Sequence, residues 1–359
     1  MESILPPQAS APPARPPWSG LHERLHRHLR RDPALLPPGA ALLVAVSGGQ
    51  DSMALTRLLL DLRRLHHWRL HLWHGDHGWR AESGRQAEEL AAWAAAQGLA
   101  ITVERAGATG GAAPLAGATE AAARQWRYGR LARLAASLDC PRVVTAHTAS
   151  DRAETLVLHL ARGSHRRGLT SLRPRRPLEP GSPRELVRPL LGFCRDDTAA
   201  LCAHWDLPIW PDPSNDTLQW SRNRVRHQVL PVLEQLHPGA SRRISALAAR
   251  LQQEQEPLEE LLPLALAQLC HPDDPDGLDL KRLTALRPAS RRQLLRHWLA
   301  ERAQIELGAG SLEQLVQRLQ PHCGAGIHDL GRGRRLVWGA GAIRLSKAPP
   351  PGPSGPSTP

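Results

Sequence analysis

Lysine is almost missing from these 359 residues: Lys281 and Lys347 are the chain's two lysines. Phenylalanine and tyrosine occur once each, against eleven tryptophans. The cationic excess is therefore arginine. A net charge of +12, from 46 Lys+Arg against 34 Asp+Glu, points to an anionic partner, most simply nucleic acid. Arginine bias alone does not assign phosphate binding, because an Ala-, Arg- and Pro-rich composition also follows from genomic base composition. The five cysteines are scattered, with no C-x-x-C pair, which argues against a zinc ribbon or an Fe–S framework. Their odd number fits a reducing cytosol. No run approaches the ~18 apolar residues of a membrane span. The N-terminus lacks the basic-then-apolar order of a signal peptide. A cytoplasmic protein with no membrane partner is expected.

Lysine is also absent from the one glycine-rich turn that follows an apolar run. Ala41 to Val46 reads as a buried parallel strand. Ser47-Gly48-Gly49-Gln50-Asp51-Ser52 then turns the chain, and Met53, Leu55, Leu58, Leu59, Leu62 and Leu65 follow at helical spacing. Strand, turn and helix aim backbone N–H groups and a helix N-terminus at phosphate. Without a Gly-Lys-Ser/Thr ending the turn is not a Walker loop. It matches the S-G-G-x-D-S signature of the PP-loop ATP pyrophosphatases, which split ATP between its α- and β-phosphates. The bland alternative is an ordinary turn with Ser52 as helix cap.

The rest alternates. Strands are expected at Leu70–His74, Leu99–Arg105 and Arg142–Ala146, with helices at Glu82–Gln97, Thr119–Leu138 and from Ser150 to Arg162. This is an α/β chain with a doubly wound parallel sheet, whose ligands bind beyond the carboxyl ends of the strands. Leu186 to Leu191 reads as a short edge strand, and Gly107 to Gly117 as a loop suited to covering a site. A helix is expected from Gln219 to Leu236, and another from Ser241 to Leu269 interrupted or kinked by Pro257 and Pro263. The last ordered stretch, Gly326 to Leu345, reads as two or three small strands. The expected domains are a catalytic one over 20–217 and a mainly helical one over 218–347, between disordered tails at 1–19 and 348–359. Basic and histidine side chains of the helix Leu21–Arg31 read as a solvated face.

Asp151 and Glu154 stand three apart, on one face of a helix start, beside His147 at a strand end. Two carboxylates there suit an ammonium-bearing substrate; a capping box with Asp at the cap and Glu at the third position is the structural alternative. Arg222, Arg224 and Arg226 alternate early in a helix, which spreads them around it. The histidines at 66, 67, 71, 74 and 77 lack cysteine partners and make a poor zinc pattern. No protein metal ligand is expected; Mg²⁺ would arrive with ATP, near Asp51.

Several motifs in one order resemble the tRNA(Ile)-lysidine synthase family. After Ser47 to Ser52 come Asp76-His77-Gly78-Trp79-Arg80, similar to D-H-x-L-R, and Ala123-Arg124-Gln125-Trp126-Arg127-Tyr128, similar to A-R-x-x-R-Y. Thr145 to Thr155 resembles T-A-H-x-x-D-D-Q-x-E-T, Arg188-Pro189-Leu190-Leu191 resembles R-P-L-L, and Arg222-Asn223-Arg224-Val225-Arg226 resembles R-N-R-I-R. Arg162-Gly163-Ser164 with Gly168-Leu169 is similar to R-G-S-x-x-x-G-L. Ser150 and Arg152 depart from the family's Asp and Gln. The resemblance implies a PP-loop ATP-binding domain and ligation of free L-lysine to C2 of the wobble cytidine of tRNA(Ile) with a CAU anticodon. It implies ATP held by Ser47, Gly48, Gly49, Gln50, Asp51 and Ser52, with Mg²⁺. Catalytic roles would fall to Asp51, Arg124, His147, Asp151 and Glu154. Substrate binding would fall to Asp151 and Glu154 for lysine, and to Asp76, His77, Arg80, Arg127, Arg222, Asn223, Arg224 and Arg226. The oligomeric state is left open, with a homodimer as one possibility. The rival readings are another PP-loop tRNA-modifying enzyme such as a thiolase, an amide-forming ligase, and a non-catalytic RNA-binding protein.

Overall fold

The alternation along the first strand already carries two layers. β1 (Ala41–Ala45) turns Leu42 and Val44 to one side of the sheet and Ala41 and Leu43 to the other, and each pair joins a separate apolar core. α2 (Gln50–His66) covers the first side with Met53, Leu55, Leu58, Leu59 and Leu62, all about 1% exposed or less. Each such side chain contributes roughly 1.5–3 kcal/mol on burial. α4 (Glu120–Ser137) covers the second side with Leu131 and Ala135.

The structure is a computed structural model that describes residues 18–76, 78, 82–107, 120–164, 166–210, 217–331 and 333–347. His77, Trp79, Arg80, the Asp212–Asn215 turn and nearly all of the expected Gly107–Gly117 loop lie outside the described residues. So do residues 1–17 of the expected 1–19 tail and all of the 348–359 tail; Trp18 and Ser19 are described, Ser19 as the cap of the first helix. The chain divides into two units, one ending at Arg250 and one beginning at Leu251.

In chain order the first unit has α1 (Gly20–Arg31), β1, α2, β2 (Arg69–Asp76), α3 (Ser83–Ala96), β3 (Ala100–Arg105), α4 and β4 (Arg142–Val144). It continues with α5 (Ala149–Ala161), α6 (Arg166–Leu169), β5 (Arg175–Pro177), β6 (Glu185–Val187), α7 (Arg195–His204), α8 (Ser221–Arg224) and α9 (Leu230–Leu236). The six strands lie in the order β3-β2-β1-β4-β6-β5, parallel except for β5 against β6. The doubly wound parallel sheet is therefore present, with one antiparallel addition.

Four local expectations are corrected. The segment read as an edge strand, β6, is interior, because the short β5 pairs outside it. The helix from Gln219 is broken by a π-helical turn, Val225–Val229, between α8 and α9. α10 (Ala240–Ala267) runs through Pro257 and Pro263 without ending at either. His22 on α1 is not solvated: it is 1% exposed and its Nε2 lies 2.9 Å from the Asp61 carboxylate.

The boundary expected after residue 217 falls inside the first unit, because side chains of α8 and the π-helical turn bind carboxylates on α5. The second unit holds a five-stranded antiparallel sheet, β7-β8-β11-β10-β9, with strands at Cys270–His271, Asp274–Asp279, Ala342–Lys347, Arg334–Gly339 and Gly326–Gly331 in that order. Helices Leu280–Thr284, Pro288–Ala303 and Ala309–Arg318 accompany it. Its core gathers Leu294, Leu295, Trp298, Leu299, Leu312, Leu315, Leu336, Trp338 and Ile343. The two strands before Leu280 were not legible, since Asp274-Pro275-Asp276-Gly277 reads as a turn. Among the described residues no helix is long and apolar enough to cross a membrane.

Candidate active site

β1 ends at the glycine turn, and the turn is braced from within. The Ser47 N–H donates to Ser52 Oγ (3.2 Å), Ser52 Oγ donates to the Gly49 carbonyl (2.8 Å), and the Gly49 N–H donates to Ser47 Oγ (3.3 Å). Gly48 has φ +83°, the left-handed region that a side chain disfavours. A Cβ there would also sit 3.2 Å from the Trp210 ring. The N-cap of α2 is Gly49, not Ser52, and it supplies no side-chain acceptor to the first turn. Backbone donors at a helix start with no cap suit an anion.

Asp51 lies in that first turn, and α7 holds it. Thr198 Oγ1 donates to Asp51 Oδ1, while Gln50 Nε2 donates to both Thr198 Oγ1 and the Arg195 carbonyl, each at 2.8 Å. Burial raises the Asp51 pKa and Asp151 adds to the rise, against the Thr198 bond, Arg195 and Arg226. Asp51 and Asp151 therefore share one electrostatic neighbourhood.

β4 leads into His147 and α5. The cap of α5 is Thr148, with Asp151 at the third position, so the capping box is Thr148–Asp151, three residues earlier than the Asp151–Glu154 alternative. Asp151 Oδ2 accepts from the Thr148 N–H (2.7 Å) and hydroxyl (2.9 Å). Oδ1 turns to Arg222, 2.7 Å away. Glu154, 1% exposed, accepts from Arg222 Nε (2.8 Å) and from Arg226 Nε (2.6 Å) and Nη2 (3.0 Å). Arg222 and Arg226 thus share a side and bridge the two acids, whereas Arg224 is exposed; the even spread expected of the three arginines does not hold. Burial alone would raise the Asp151 pKa, but Arg222, His147, the Thr148 N–H and Arg226 together hold it below its ordinary value. His147 bonds Thr145 Oγ1 at 3.0 Å. Burial, with Arg188, Arg222 and Arg124, pushes its pKa far down against the pull of Asp151, so the imidazole is neutral near pH 7.

The departures from the family pattern have local uses. Ser150 Oγ accepts from the Arg195 N–H (3.3 Å), tying α5 to the start of α7. Arg152 is buried and donates from Nε to the Leu172 carbonyl (2.9 Å). Of the other expected residues, Asp76 is buried at the end of β2, 3.4 Å from Arg105 and accepting from the Gly78 N–H. Arg124 lies over the Tyr128 ring, Arg127 is exposed on α4, and Asn223 donates to the Thr217 carbonyl (2.8 Å). Among the described residues no group of three His, Cys, Asp or Glu side chains is arranged to hold a metal. His71 bonds Thr102, His74 bonds the Val46 carbonyl, and His66 stacks on Trp68. Thr198, Arg195 and Trp210 were missed: they stand 147, 145 and 162 residues from the atoms they touch or follow no local pattern.

An apolar strand, a glycine turn at its carboxyl end and an uncapped helix start define a PP-loop nucleotide-binding protein, and the PP-loop domain family matches residues 22–233. The TilS substrate binding domain matches residues 278–346. The chain is 52% identical to the tRNA(Ile)-lysidine synthase of Parasynechococcus marenigrum, over 89% of this chain and 93% of that one. It is 42% identical to the enzyme of the same name from Prochlorococcus marinus, over 92% and 97%. The chain belongs to the tRNA(Ile)-lysidine synthase family. Among solved structures it resembles the U34-tRNA thiolase NcsA from Methanococcus maripaludis, with a TM-score of 0.53 and 17% identity over 64% of this chain and 78% of that one, a likeness of fold.

Proposed function

We propose that this chain is an ATP-dependent ligase that joins free lysine to C2 of the wobble cytidine of tRNA(Ile), releasing AMP and pyrophosphate. The observation that carries the reading is a family match over nearly the whole chain, in which the PP-loop aspartate and Asp151 of the acid pair share one electrostatic neighbourhood.

Cytosine C2 is a poor electrophile because its oxygen would leave as a hydroxide equivalent. In the first step that oxygen attacks the α-phosphate of ATP and pyrophosphate departs. N–H groups of the turn Ser47–Ser52 and the start of α2 stabilise the phosphate charge. Asp51, in the first turn of α2, is oriented by the Thr198 hydroxyl bonded to its Oδ1, which leaves Oδ2 as the oxygen that would serve a bound cation. That single oxygen fits a Mg²⁺ held mainly by phosphate and water, which would screen phosphate charge when bound. In the second step the ε-amine attacks C2 and AMP leaves. The amine arrives protonated, its solution pKa being ~10.4. Asp151 and Glu154 receive the ammonium, sharing it with or releasing the Arg222 and Arg226 guanidiniums that bridge them, and one of the two carboxylates takes its proton so that the free amine attacks. His147, neutral, has one ring nitrogen that donates and one that accepts, and it adds no charge to the site. A wobble base is already single-stranded, so extruding it costs little.

The test supplies purified chain with a tRNA(Ile) transcript bearing CAU, ATP and radiolabelled lysine. Label in the RNA and AMP in stoichiometric amount are expected. Absence of pyrophosphate release with every amine supplied would overturn the reading.

A further inference from the structure

Three arginines from three segments of the chain gather at its one tyrosine. The Arg124 guanidinium lies 4.8 Å from the Tyr128 ring centroid, and that of Arg176, on β5, lies 4.9 Å away. Arg188, just after β6, is 2% exposed and interacts electrostatically with Tyr128, Arg176 and Arg124. Its Nη1 donates to the Arg173 carbonyl (2.6 Å), but its buried Nε has no partner. No carboxylate among the described residues pairs with Arg124, Arg176 or Arg188; what they share is a phenol, and Arg176 Nη1 also donates to the Pro177 (2.8 Å) and Leu178 (3.2 Å) carbonyls.

Like charges gathered without a counter-charge repel, and a buried donor with no acceptor forfeits a hydrogen bond. Burial and the two neighbouring guanidiniums bring the Arg188 pKa down to about 10, which records that cost. An anion placed among the three would offset the repulsion. The cluster also borders the candidate active site, since Arg188 and Arg124 act on His147 at the end of β4.

We propose that Arg124, Arg176 and Arg188 form a phosphate site floored by Tyr128, which takes an RNA phosphodiester beside the target base. This rests on the RNA-modifying reading above. Planar guanidinium forks match phosphate oxygens, and the exposed Arg124 leaves the site open to solvent. The source is RNA and not ATP because β5 lies three strands from β1, roughly 14 Å at ordinary strand spacing, whereas the ATP phosphates belong to the turn after β1. Arg176 belongs to no motif, and its edge strand was not legible in the sequence.

The test compares wild type with Arg176→Gln and Arg176→Lys in three measurements: tRNA binding at several salt concentrations, binding of a non-hydrolysable ATP analogue and of pyrophosphate, and thermal melting. Arg176→Gln should weaken tRNA binding about tenfold, the order of one lost charge-assisted hydrogen bond. Its log–log salt slope should be shallower by about one. ATP-analogue and pyrophosphate binding should not change, and Arg176→Lys should keep the wild-type slope. Unchanged tRNA affinity and slope in Arg176→Gln would overturn the site as mere packing around Tyr128. Weakened pyrophosphate binding with intact tRNA binding would overturn the RNA assignment in favour of ATP phosphates. If Arg176→Gln melts early, the lysine variant decides: a slope below wild type in that folded protein overturns the point-charge account. Lysidine formation by wild type is scored in parallel, so that failure of the ligase reading is seen separately from failure of the phosphate site.

Discussion

At the scale of single residues, Asp51 combines usefulness with cost. Its unfolded carboxyl titrates near 3.8 and its folded one higher, because it is buried near Asp151. The native state therefore holds that proton more tightly, and stability is lost as pH rises through this window and stays lost above it. Asp51→Asn should abolish pyrophosphate release yet raise the melting temperature at pH 7. That gain should vanish below pH 3.8, which paired melts at the two pH values would check. Gly48→Ala should cost about 1–2 kcal/mol for the positive φ, and the Trp210 contact adds to it. Melting temperature and AMP formation should both fall. The motif Ser47 to Ser52 was readable because it is local. Thr198, which orients Asp51, was not, since a threonine inside an unremarkable helix becomes informative only when α7 packs on α2.

Elements decide whether charges are free. The acids of α5 are bridged by Arg222 and Arg226, and the π-helical turn beginning at Val225 belongs to the segment that carries them. π turns occur disproportionately at functional sites. Arg226→Ala leaves the buried Glu154 with one guanidinium and should lower stability by roughly 1.5–3 kcal/mol, the range for a hydrogen bond to a charged group. Arg226→Lys should recover only part of this, because a lysine cannot supply two donors in a fixed fork. Denaturant unfolding of the three proteins checks both. Asp151 has a depressed folded pKa, so its contribution is present above 3.8 and lost as pH falls through the lower folded value. Asp151→Asn should therefore destabilise at pH 7 and narrow its gap to wild type in acid, and it should raise the lysine KM. Normal lysine kinetics in that variant would remove its assigned role.

For the whole molecule, the net charge of +12 sets how an RNA is approached. Affinity for tRNA should fall steeply with salt, while lysine KM should change little between the same buffers. Equal salt responses would remove the electrostatic account. The order of strands and helices through α5 was readable in the sequence, because apolar periodicity reports which face of each element meets a core. So were the glycine turn and the acid pair, whose residue types and spacing are local. What only the tertiary structure decided was contact between distant segments: the Arg222–Arg226 bridge to α5, the Thr198 grip on Asp51, the interior place of β6 and the arginines around Tyr128. Periodicity says that a face is buried, but not against what. An arginine reads the same on paper whether it meets water, a carboxylate or another arginine, and only the folded chain fixes which.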